Sequence, residues 1–594
     1  MNSGVDLGAQ PSITGSPGQQ TAVMYAVTLL INECITTRHI PACMKVGWVT
    51  LVPKPKADGS FSPDPDKMRP ITVLPVLGRL VSKVMATRLG DILTNHPTLL
   101  TPAQRAFIRD GAHSQCVDTV LDVFEDHRQT TGQGRGRKSK PLYAVSYDQK
   151  KAYDSVQQYT VEATLTRFNL PEAFIELVLS SMTEATSCVR TAGGLTKPFT
   201  RQSSLTQGDP LAPIIYSLIT DALHEGLRDC PLPQMNVQSK QWGYTMCGGP
   251  RVCSAGFADD SLIMADSADK IRGMHAWVRA FFGAHGFGMN VVKTRFMCSD
   301  FDSDHPERSP ILPSVDGGTM IEPEGPGAVF RYLGILMSLD LSWGEQIAVM
   351  KAKVRNVCAS IRSNRLHLLA SAHVIKQYLL PCLRGGLLVV AFPNRKTQLS
   401  EWDDLISRSM WVAAGVTHPP NAAPMQVALN VPTMIDHQVN LRGSELAIRI
   451  NSAGTAQETC AARWQSGTAV GGKYFTRHRA TAAWLESDMA LLNVDDGGLG
   501  ADTEVNVGSE IVAPPEISES ELLHRSRAYW NPLLETICEF DCGGGGETVR
   551  PPLSGNMWML LPMALRFLAP LDSLEGAGLC YSRAPPVQKR SRGR

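Results

Sequence analysis

The stretch Phe257-Ala258-Asp259-Asp260 lies between two short apolar runs, and this pattern predicts a strand, a tight acidic turn and a return strand. Two carboxylates held side by side repel each other unless a cation neutralises them, so the turn indicates a divalent metal site. A solvated hairpin turn is the alternative, because Asp is also a common turn residue. Patterns upstream in the chain bear on this choice.

The overall composition identifies no class of partner. The 594 residues are enough for several domains, and 57 basic against 56 acidic residues leave a net charge of +1. Any surface for nucleic acid must therefore come from local clusters of charge. Two basic runs, 135–140 and 589–594, are candidates, and each also fits a solvated loop.

Cysteine usage and hydropathy bear on the compartment. The 14 cysteines follow no regular disulfide framework, which favours a reducing intracellular compartment, the nucleus or the cytoplasm. Residues 1–20 are rich in Gly, Ser, Pro and Gln, lack a signal-peptide pattern, and are predicted to be a disordered leader. The most apolar late stretch, 557–571, is too short to cross a bilayer, so we expect no membrane segment.

Two cations bracket a loop near the start of the chain. A strand predicted over 46–52 leads into Lys54, and Arg69 follows a segment rich in Gly, Ser, Pro and Asp. Lys as a point charge and Arg as a fork could both face a chain of phosphates. A solvated loop is the alternative interpretation.

A third carboxylate follows another predicted strand. Residues 142–147 are apolar and aromatic, and Asp148 comes directly after them. A carboxylate that leaves a strand end is a plausible metal ligand. An Asp that caps the next helix fits the pattern equally well.

The stretch Gln207-Gly208-Asp209-Pro210 precedes an apolar helical pattern. Asp followed by Pro is typical of a helix start, which accounts for Asp209. A Gly before a helix lets the backbone approach a ligand, and the Gln207 amide could contact a base or a template strand.

The order of these features predicts a polymerase palm: paired cations, a strand-end Asp, a Gln-Gly helix start, an Asp-Asp hairpin and a later lone Lys. Two Mg²⁺ ions about 4 Å apart need carboxylates from two strands, so Asp148 and Asp259 are expected to bridge both. Phosphoryl transfer otherwise needs positioning and positive charge, which Lys54 and Arg69 could supply.

The same stretches resemble reverse transcriptases of the non-long-terminal-repeat (non-LTR) retrotransposon type, with group II intron enzymes as nearer cousins than retroviral ones. The resemblance covers roughly 40–337. The matching stretches are Leu51-Val52-Pro53-Lys54-Pro55, Arg69-Pro70-Ile71, 104–111, 148–156, Gln207-Gly208-Asp209-Pro210-Leu211, Phe257-Ala258-Asp259-Asp260, Gly286-Phe287-Gly288-Met289-Asn290 with Lys293-Thr294, and Tyr332-Leu333-Gly334.

The resemblance implies roles for individual residues. Asp148, Asp259 and Asp260 are implied as catalytic carboxylates that hold two Mg²⁺ ions, which Mn²⁺ can replace; Asp260 is the least essential direct ligand. Lys293 matches a residue proposed to protonate the leaving pyrophosphate. The implied nucleotide-binding residues are Lys54, Arg69, Tyr153, Gln207 and Gly208. Tyr153 matches an aromatic gate that excludes a ribose 2′-hydroxyl, and the implied primer grip is Tyr332, Leu333 and Gly334.

The implied fold is an α+β right hand, with fingers, a palm built on an antiparallel sheet with helices, a helical thumb, and a mixed C-terminal region. The expected division is fingers and palm over 21–340, a thumb-like region over 341–450, and a region of unknown function over 451–594. The implied partners are an RNA template, a DNA primer or target DNA, and deoxynucleoside triphosphates.

Two features depart from the family pattern. Thr206 stands where many relatives have Arg or Lys, which leaves a template or phosphate contact there in doubt. Relatives also carry an endonuclease and often Cys/His fingers, and neither is recognisable in this sequence.

Two alternatives stay open. An inactive or domesticated relic could bind RNA through the same groove without polymerising it. A viral RNA-dependent RNA polymerase is suggested by Asp154, six residues after Asp148, but Tyr153 and the lack of a Gly-Asp-Asp turn argue against it.

Overall fold

The computed structural model describes residues 22–460, except for 54–60, 63, 65–67, 108–112, 132–139, 192, 202–204, 230–241, 248, 306–308, 316–317, 417–424, 427–428 and 452–457. The described residues form two compact units. The first contains 22–346 and 445–460, and the second contains 347–444. The predicted leader, Lys54 and nearly all of the predicted C-terminal region lie outside the described residues.

The first unit combines helices with several small sheets. Its helices are α1 (Ala22–Thr37), α2 (Val76–Asn95), α3 (His113–Thr131), α4 (Gln158–Arg167), α5 (Glu172–Met182), α6 (Ala212–Asp229) and α7 (Ala268–His285). Its strands are β1 (Gly47–Pro53), β2 (Met68–Val73), β3 (Tyr143–Tyr147), β4 (Gln149–Lys150), β5 (Thr186–Thr191), β6 (Gly194–Leu195), β7 (Phe199–Thr200), β8 (Tyr244–Thr245), β9 (Arg251–Val252), β10 (Ser254–Phe257), β11 (Asp260–Ala265), β12 (Gly288–Met289), β13 (Arg295–Cys298), β14 (Leu312–Pro313), β15 (Met320–Ile321), β16 (Pro323–Glu324), β17 (Phe330–Tyr332) and β18 (Ile335–Met337).

A five-stranded sheet in the order β10-β11-β3-β13-β16 forms the centre of this unit. Its pairs are antiparallel except for β13 and β16, which run parallel. Every residue of β3 is buried, as expected for a central strand covered on both faces. Helices α6 and α7 pack on strands of the sheet, and α3 packs on β10. The acidic hairpin predicted from the sequence is therefore the β10–β11 hairpin of this sheet.

A second sheet contains Arg69, one of the two cations predicted to face phosphates. Its order is β2-β1-β5-β6, and β7 also pairs with β5. Strand β1 is antiparallel to β2 and parallel to β5. The register places Arg69 of β2 opposite Val52 of β1. Lys54, the other predicted cation, directly follows β1 in the sequence.

The second unit is helical in its described part. Its helices are α8 (Gly344–Ser363), α9 (Leu368–Val374), α10 (Leu380–Val389), α11 (Arg395–Ala413) and α12 (Met434–Asn451). A π-helical turn, Ile375–Leu379, joins α9 to α10. The first residues of α8 and the last residues of α12 belong to the first unit.

The α+β class predicted from the sequence is confirmed. The predicted domain boundaries at 340 and 450 stay predictions. None of the described helices is both long and apolar enough to cross a membrane.

The second unit contains a buried carboxylate at Asp403 in α11. Its Oδ1 accepts hydrogen bonds from Gln426 Nε2 at 3.0 Å and from the Met434 backbone N–H at 2.9 Å. The second contact fixes the start of α12, because the first N–H groups of a helix have no partner within the helix. Burial raises the pKa of the Asp403 carboxyl to about 7.

This shift predicts how stability changes with pH. The unfolded chain releases the Asp403 proton near pH 4, whereas the folded chain keeps it up to about pH 7. The free energy of unfolding should therefore fall as the pH rises from 4 to 7, by roughly 2–4 kcal/mol. Asp403→Asn should remove this pH dependence, because an amide does not titrate in this range, and its oxygen can still accept both hydrogen bonds.

Urea unfolding at several pH values measures the effect, with Asp91→Asn at an exposed position of α2 as the control. An Asp403→Asn variant that keeps the wild-type pH slope would contradict the assignment.

Candidate active site

The acidic turn is a two-residue connection between β10 and β11. The register pairs Phe257 with Asp260, which leaves Ala258 and Asp259 at the tip. Ala258 has a φ of 56°, a left-handed conformation that is uncommon for a residue with a Cβ. Asp259 therefore lies at the tip of the turn and Asp260 at the first position of β11, both at the end of the sheet.

Asp148 lies at the same end of the sheet. The register that pairs Ser261 with Tyr147 places Asp260 beside the end of β3, where Asp148 follows. Strands β4 and β12 also pair here, so the segment that begins at Asn290 is brought beside Asp148. The strand-end Asp and the acidic hairpin, 111 residues apart in sequence, therefore meet at one edge.

Two side chains of this later segment contact Asp148. Asn290 Nδ2 donates to Asp148 Oδ2 at 2.9 Å, and its backbone N–H donates to the Asp148 carbonyl oxygen at 2.8 Å. Lys293 Nζ lies 3.3 Å from Asp148 Oδ2, and its side chain is 63% exposed. Sequence reasoning singled out Lys293 but assigned Asn290 no role, although it stood within a quoted motif.

The carboxylates affect one another electrostatically. Burial, followed by the negative charges of Asp259 and Asp148, raises the pKa of Asp260 to about 6. Like charges collected in a partly buried place favour a divalent cation, and carboxylate oxygen is the donor that Mg²⁺ prefers. As placed, no three His, Cys, Asp or Glu side chains in the described part of the chain enclose a metal position. The donor chemistry fits the predicted metal ions, and the exact ligand set stays a prediction.

The predicted gate residue, Tyr153, is held flat against a second tyrosine. Its ring stacks on that of Tyr216, with centroids 4.8 Å apart and an interplanar angle of 17°. Tyr216 is fully buried in α6, and its hydroxyl donates to Gln149 Oε1. Burial and the negative charge of Asp259 raise the pKa of Tyr153. Tyr153 is therefore a rigid neutral ring close to the acidic turn, and Tyr216 is a supporting residue that sequence reasoning missed.

The Gln207-Gly208 turn docks on strand β2. The Thr72 backbone N–H donates to the Gln207 carbonyl oxygen at 2.8 Å. Gly208 has a φ of 119°, and a Cβ at this position would lie 2.2 Å from the Thr72 carbonyl oxygen. Only Gly allows this approach, which ties the turn to the strand that carries Arg69.

The start of α6 follows the prediction. Asp209 Oδ1 accepts a hydrogen bond from the Leu211 backbone N–H at 2.9 Å. Beside it, the Arg201 guanidinium donates to Thr206 Oγ1, and burial lowers the pKa of Arg201. A cation from the end of β7 thus stands next to the position where relatives carry a basic residue, and the sequence offered no signal for this contact.

The predicted primer-grip residues form the β17–β18 turn. Leu333 and Gly334 have φ values of 47° and 85°. Tyr332 is buried, and its hydroxyl donates to the Ala255 carbonyl oxygen of β10 at 3.0 Å. The phenol anchors the hairpin to the strand that leads to Asp259, and the primer-grip role of Tyr332, Leu333 and Gly334 stays a prediction.

Known proteins are similar in sequence to part of this chain. Residues 52–337 match the family model described as "Reverse transcriptase (RNA-dependent DNA polymerase)". The R2 element Pol polyprotein of Popillia japonica is 27% identical over 294 residues, which are 48% of this chain and 37% of that protein. The R2DM polyprotein of Drosophila melanogaster is 26% identical, over 49% of this chain and 25% of its own length.

A longer match covers more of this chain. The RNA-directed DNA polymerase from mobile element jockey of Drosophila melanogaster is 21% identical over 431 residues, 70% of this chain and 42% of that protein. Among solved structures, apo telomerase from Candida tropicalis aligns over 74% of each chain at 13% identity, with a TM-score of 0.35. This chain spans 37% of the first relative and 25% of the second.

The sheet with its acidic hairpin, the docked Gln-Gly turn and the stacked tyrosines define a polymerase palm of the right-hand class. Within that class, residues 52–337 match the reverse transcriptase family, and this part of the chain is similar to the polymerases of non-LTR retrotransposons.

The docking of Gly208 generates a prediction. Gly208→Ala should lower primer-extension activity by about tenfold or more and lower the melting temperature, because the added Cβ overlaps the Thr72 carbonyl oxygen. Primer extension and thermal unfolding measure the two effects.

Gly194→Ala is a matched control. Gly194 has a φ of 113°, and a Cβ there would meet nothing within 4 Å. This variant carries only the backbone strain, of the order of 1–2 kcal/mol. Equal losses of activity in the two variants would show that the contact with Thr72 does not matter.

Proposed function

We propose that this chain is an RNA-directed DNA polymerase that extends a DNA primer on an RNA template with deoxynucleoside triphosphates. The observation that carries the proposal is the meeting of Asp148, Asp259 and Asp260 at one end of the central sheet, with Lys293 beside Asp148. This is the donor set and the cation that two-metal phosphoryl transfer needs.

The residues take the following roles. Asp148 and Asp259 hold the divalent ions, and Asp260 supports them from the first position of β11. Two bound Mg²⁺ ions would supply activation of the primer hydroxyl and charge neutralisation on the triphosphate. Lys293 lies 3.3 Å from Asp148 Oδ2 and donates the proton that the leaving pyrophosphate needs.

Arg69, the Gln207-Gly208 turn and the gate residue Tyr153 determine specificity for the nucleotide. Arg69 is exposed on β2, three residues before Thr72, to which the Gln207-Gly208 turn is docked. Arg69 thus binds phosphate while the turn holds the base pair in place. The Tyr153 ring, backed by Tyr216, occupies the space that a ribose 2′-hydroxyl would need.

Charge distribution supports a nucleic-acid partner. Residues 347–444 contain 11 Lys and Arg residues against 4 Asp and Glu residues, although the whole chain is nearly neutral. Exposed cations on α8 include Lys353, Arg355 and Arg362. A helical unit with this excess of positive charge suits the phosphates of a primer–template duplex. The activities of the whole relatives, including any cutting of target DNA, are not part of the proposal.

The first test removes the carboxylates. Asp148→Ala and Asp259→Ala should each lower primer extension by roughly 100-fold or more, because both act on charge that develops in the transition state. Binding of an RNA/DNA duplex should be retained. Extension is measured with an RNA template, an annealed DNA primer, Mg²⁺ and labelled deoxynucleotides, and duplex binding by fluorescence anisotropy.

Asp91→Ala, at an exposed site on α2, is the control and should behave as wild type. An Asp148→Ala or Asp259→Ala variant that extends primer at the wild-type rate would refute the metal-ligand roles. A wild-type chain that binds the duplex without extending it would instead favour an inactive relic.

The second test concerns sugar selectivity. Tyr153→Ala should increase ribonucleotide incorporation by about tenfold or more relative to deoxynucleotides, because discrimination built on a clash is lost with the clashing group. Single-nucleotide incorporation kinetics with matched deoxy- and ribonucleotides measure the ratio. A wild type that prefers ribonucleotides would refute the gate and favour an RNA polymerase.

A further inference from the structure

The segment 101–107 lies along β10, immediately before the acidic turn. The Gly256 backbone N–H donates to the Ala103 carbonyl oxygen at 2.9 Å, and the Arg105 N–H donates to the Gly256 carbonyl oxygen at 3.2 Å. Gln104 therefore stands opposite Gly256 in a parallel bridge. On its other side, the segment contacts α6, where Ser217 Oγ donates to the Ala106 carbonyl oxygen at 2.9 Å.

The Gln104 side chain is fully buried between these two elements. Its Oε1 accepts from the backbone N–H of Ala258 at 3.2 Å and from that of Ala106 at 3.0 Å. Its Nε2 donates to Thr220 Oγ1 of α6 at 2.7 Å. Because a backbone N–H can only donate, the two contacts at Oε1 fix the orientation of the amide.

The contact with Ala258 falls at the strained position of the turn. A non-Gly residue in the left-handed region costs of the order of 1–3 kcal/mol and persists only where its surroundings enforce it. Ala258 directly precedes Asp259, so a relaxation of its φ would turn the Asp259 carboxylate away from the end of β3. The buried hydrogen bond from Ala258 to Gln104 opposes that relaxation.

The same amide connects the turn to the gate. Thr220 Oγ1 lies 3.1 Å from the Tyr216 carbonyl oxygen, to which it donates. Tyr216 is the residue on which Tyr153 stacks. A chain of hydrogen bonds thus runs from the backbone of the acidic turn, through Gln104 and Thr220, to the helix that supports the gate ring.

We propose that Gln104 is a positioning residue: it holds the left-handed Ala258, and through it the Asp259 carboxylate, in the geometry that the reaction needs. The proposal rests on the proposed polymerase function. It assigns Gln104 no contact with substrate or metal.

The test is a rescue experiment. Gln104→Met keeps the length and unbranched shape of the side chain but removes its hydrogen bonds, and kcat for primer extension should fall about 10–100-fold, since small misplacements of a catalytic group are this costly. KM for the nucleotide should change little. Ala258→Gly, added to Gln104→Met, should restore most of kcat, because Gly adopts a positive φ without enforcement.

The control is Gln438→Met in the second unit. Gln438 is fully buried as well, and its Nε2 donates to the Leu387 carbonyl oxygen at 3.0 Å. Its replacement should lower the melting temperature as Gln104→Met does, with kcat unchanged. If Gln104→Met does not fold, Thr220→Val, which removes the partner of Nε2, takes its place and should show a smaller loss of kcat with the same rescue.

Each outcome decides the matter. Rescue of kcat by Ala258→Gly without recovery of melting temperature supports positioning. A Gln104→Met enzyme with normal kcat and only a lowered melting temperature refutes it, as does a loss of kcat that Ala258→Gly does not repair. An inactive wild type would refute the polymerase function itself and is thereby distinguished from failure of the Gln104 assignment.

Discussion

The repulsion among three carboxylates at one end of the central sheet is the constraint on which the rest of the first unit depends. Strand register brings Asp148, Asp259 and Asp260 to one end of the sheet, and burial, followed by the charges of Asp259 and Asp148, raises the pKa of Asp260. Asn290 and Lys293 offset part of it at Asp148, and divalent ions would offset the remainder. Carboxylates that repel one another without cations are well suited to bind them. The surrounding structure must then hold these carboxylates in place against their repulsion.

That rigidity comes from contacts between distant parts of the chain. The stacked tyrosines, the docking of the Gln207-Gly208 turn on Thr72 and the anchoring of the β17–β18 hairpin by Tyr332 each use a buried ring or a backbone hydrogen bond. Lys293 is the exception, because its side chain is 63% exposed. The site thus combines carboxylates placed by the sheet with an exposed cation beside Asp148.

Sequence reasoning found the features that are local. A strand that ends in Asp148, an acidic hairpin and a helix start at Asp209 each have a period or turn chemistry readable within about ten residues, and all three are present in the fold. Asn290 and Tyr216 were missed because their contacts arise from pairing across long separations; Asn290 meets Asp148 across 142 residues. A neutral amide or a phenol carries no signal of its own until the fold supplies its partner.

A long-range contact also links α12 to the first unit. Arg449, in the part of α12 that belongs to the first unit, is fully buried, and its guanidinium lies 2.6 Å from Asp122 and 3.4 Å from Asp118 of α3. Leaving two carboxylates buried without their cation costs several kcal/mol. Helix α3 packs on β10, and Cys116 of α3 donates its thiol hydrogen to the Gly256 carbonyl oxygen at 3.3 Å. Residues 445–460 therefore belong to the same compact unit as the strand that leads to the acidic turn.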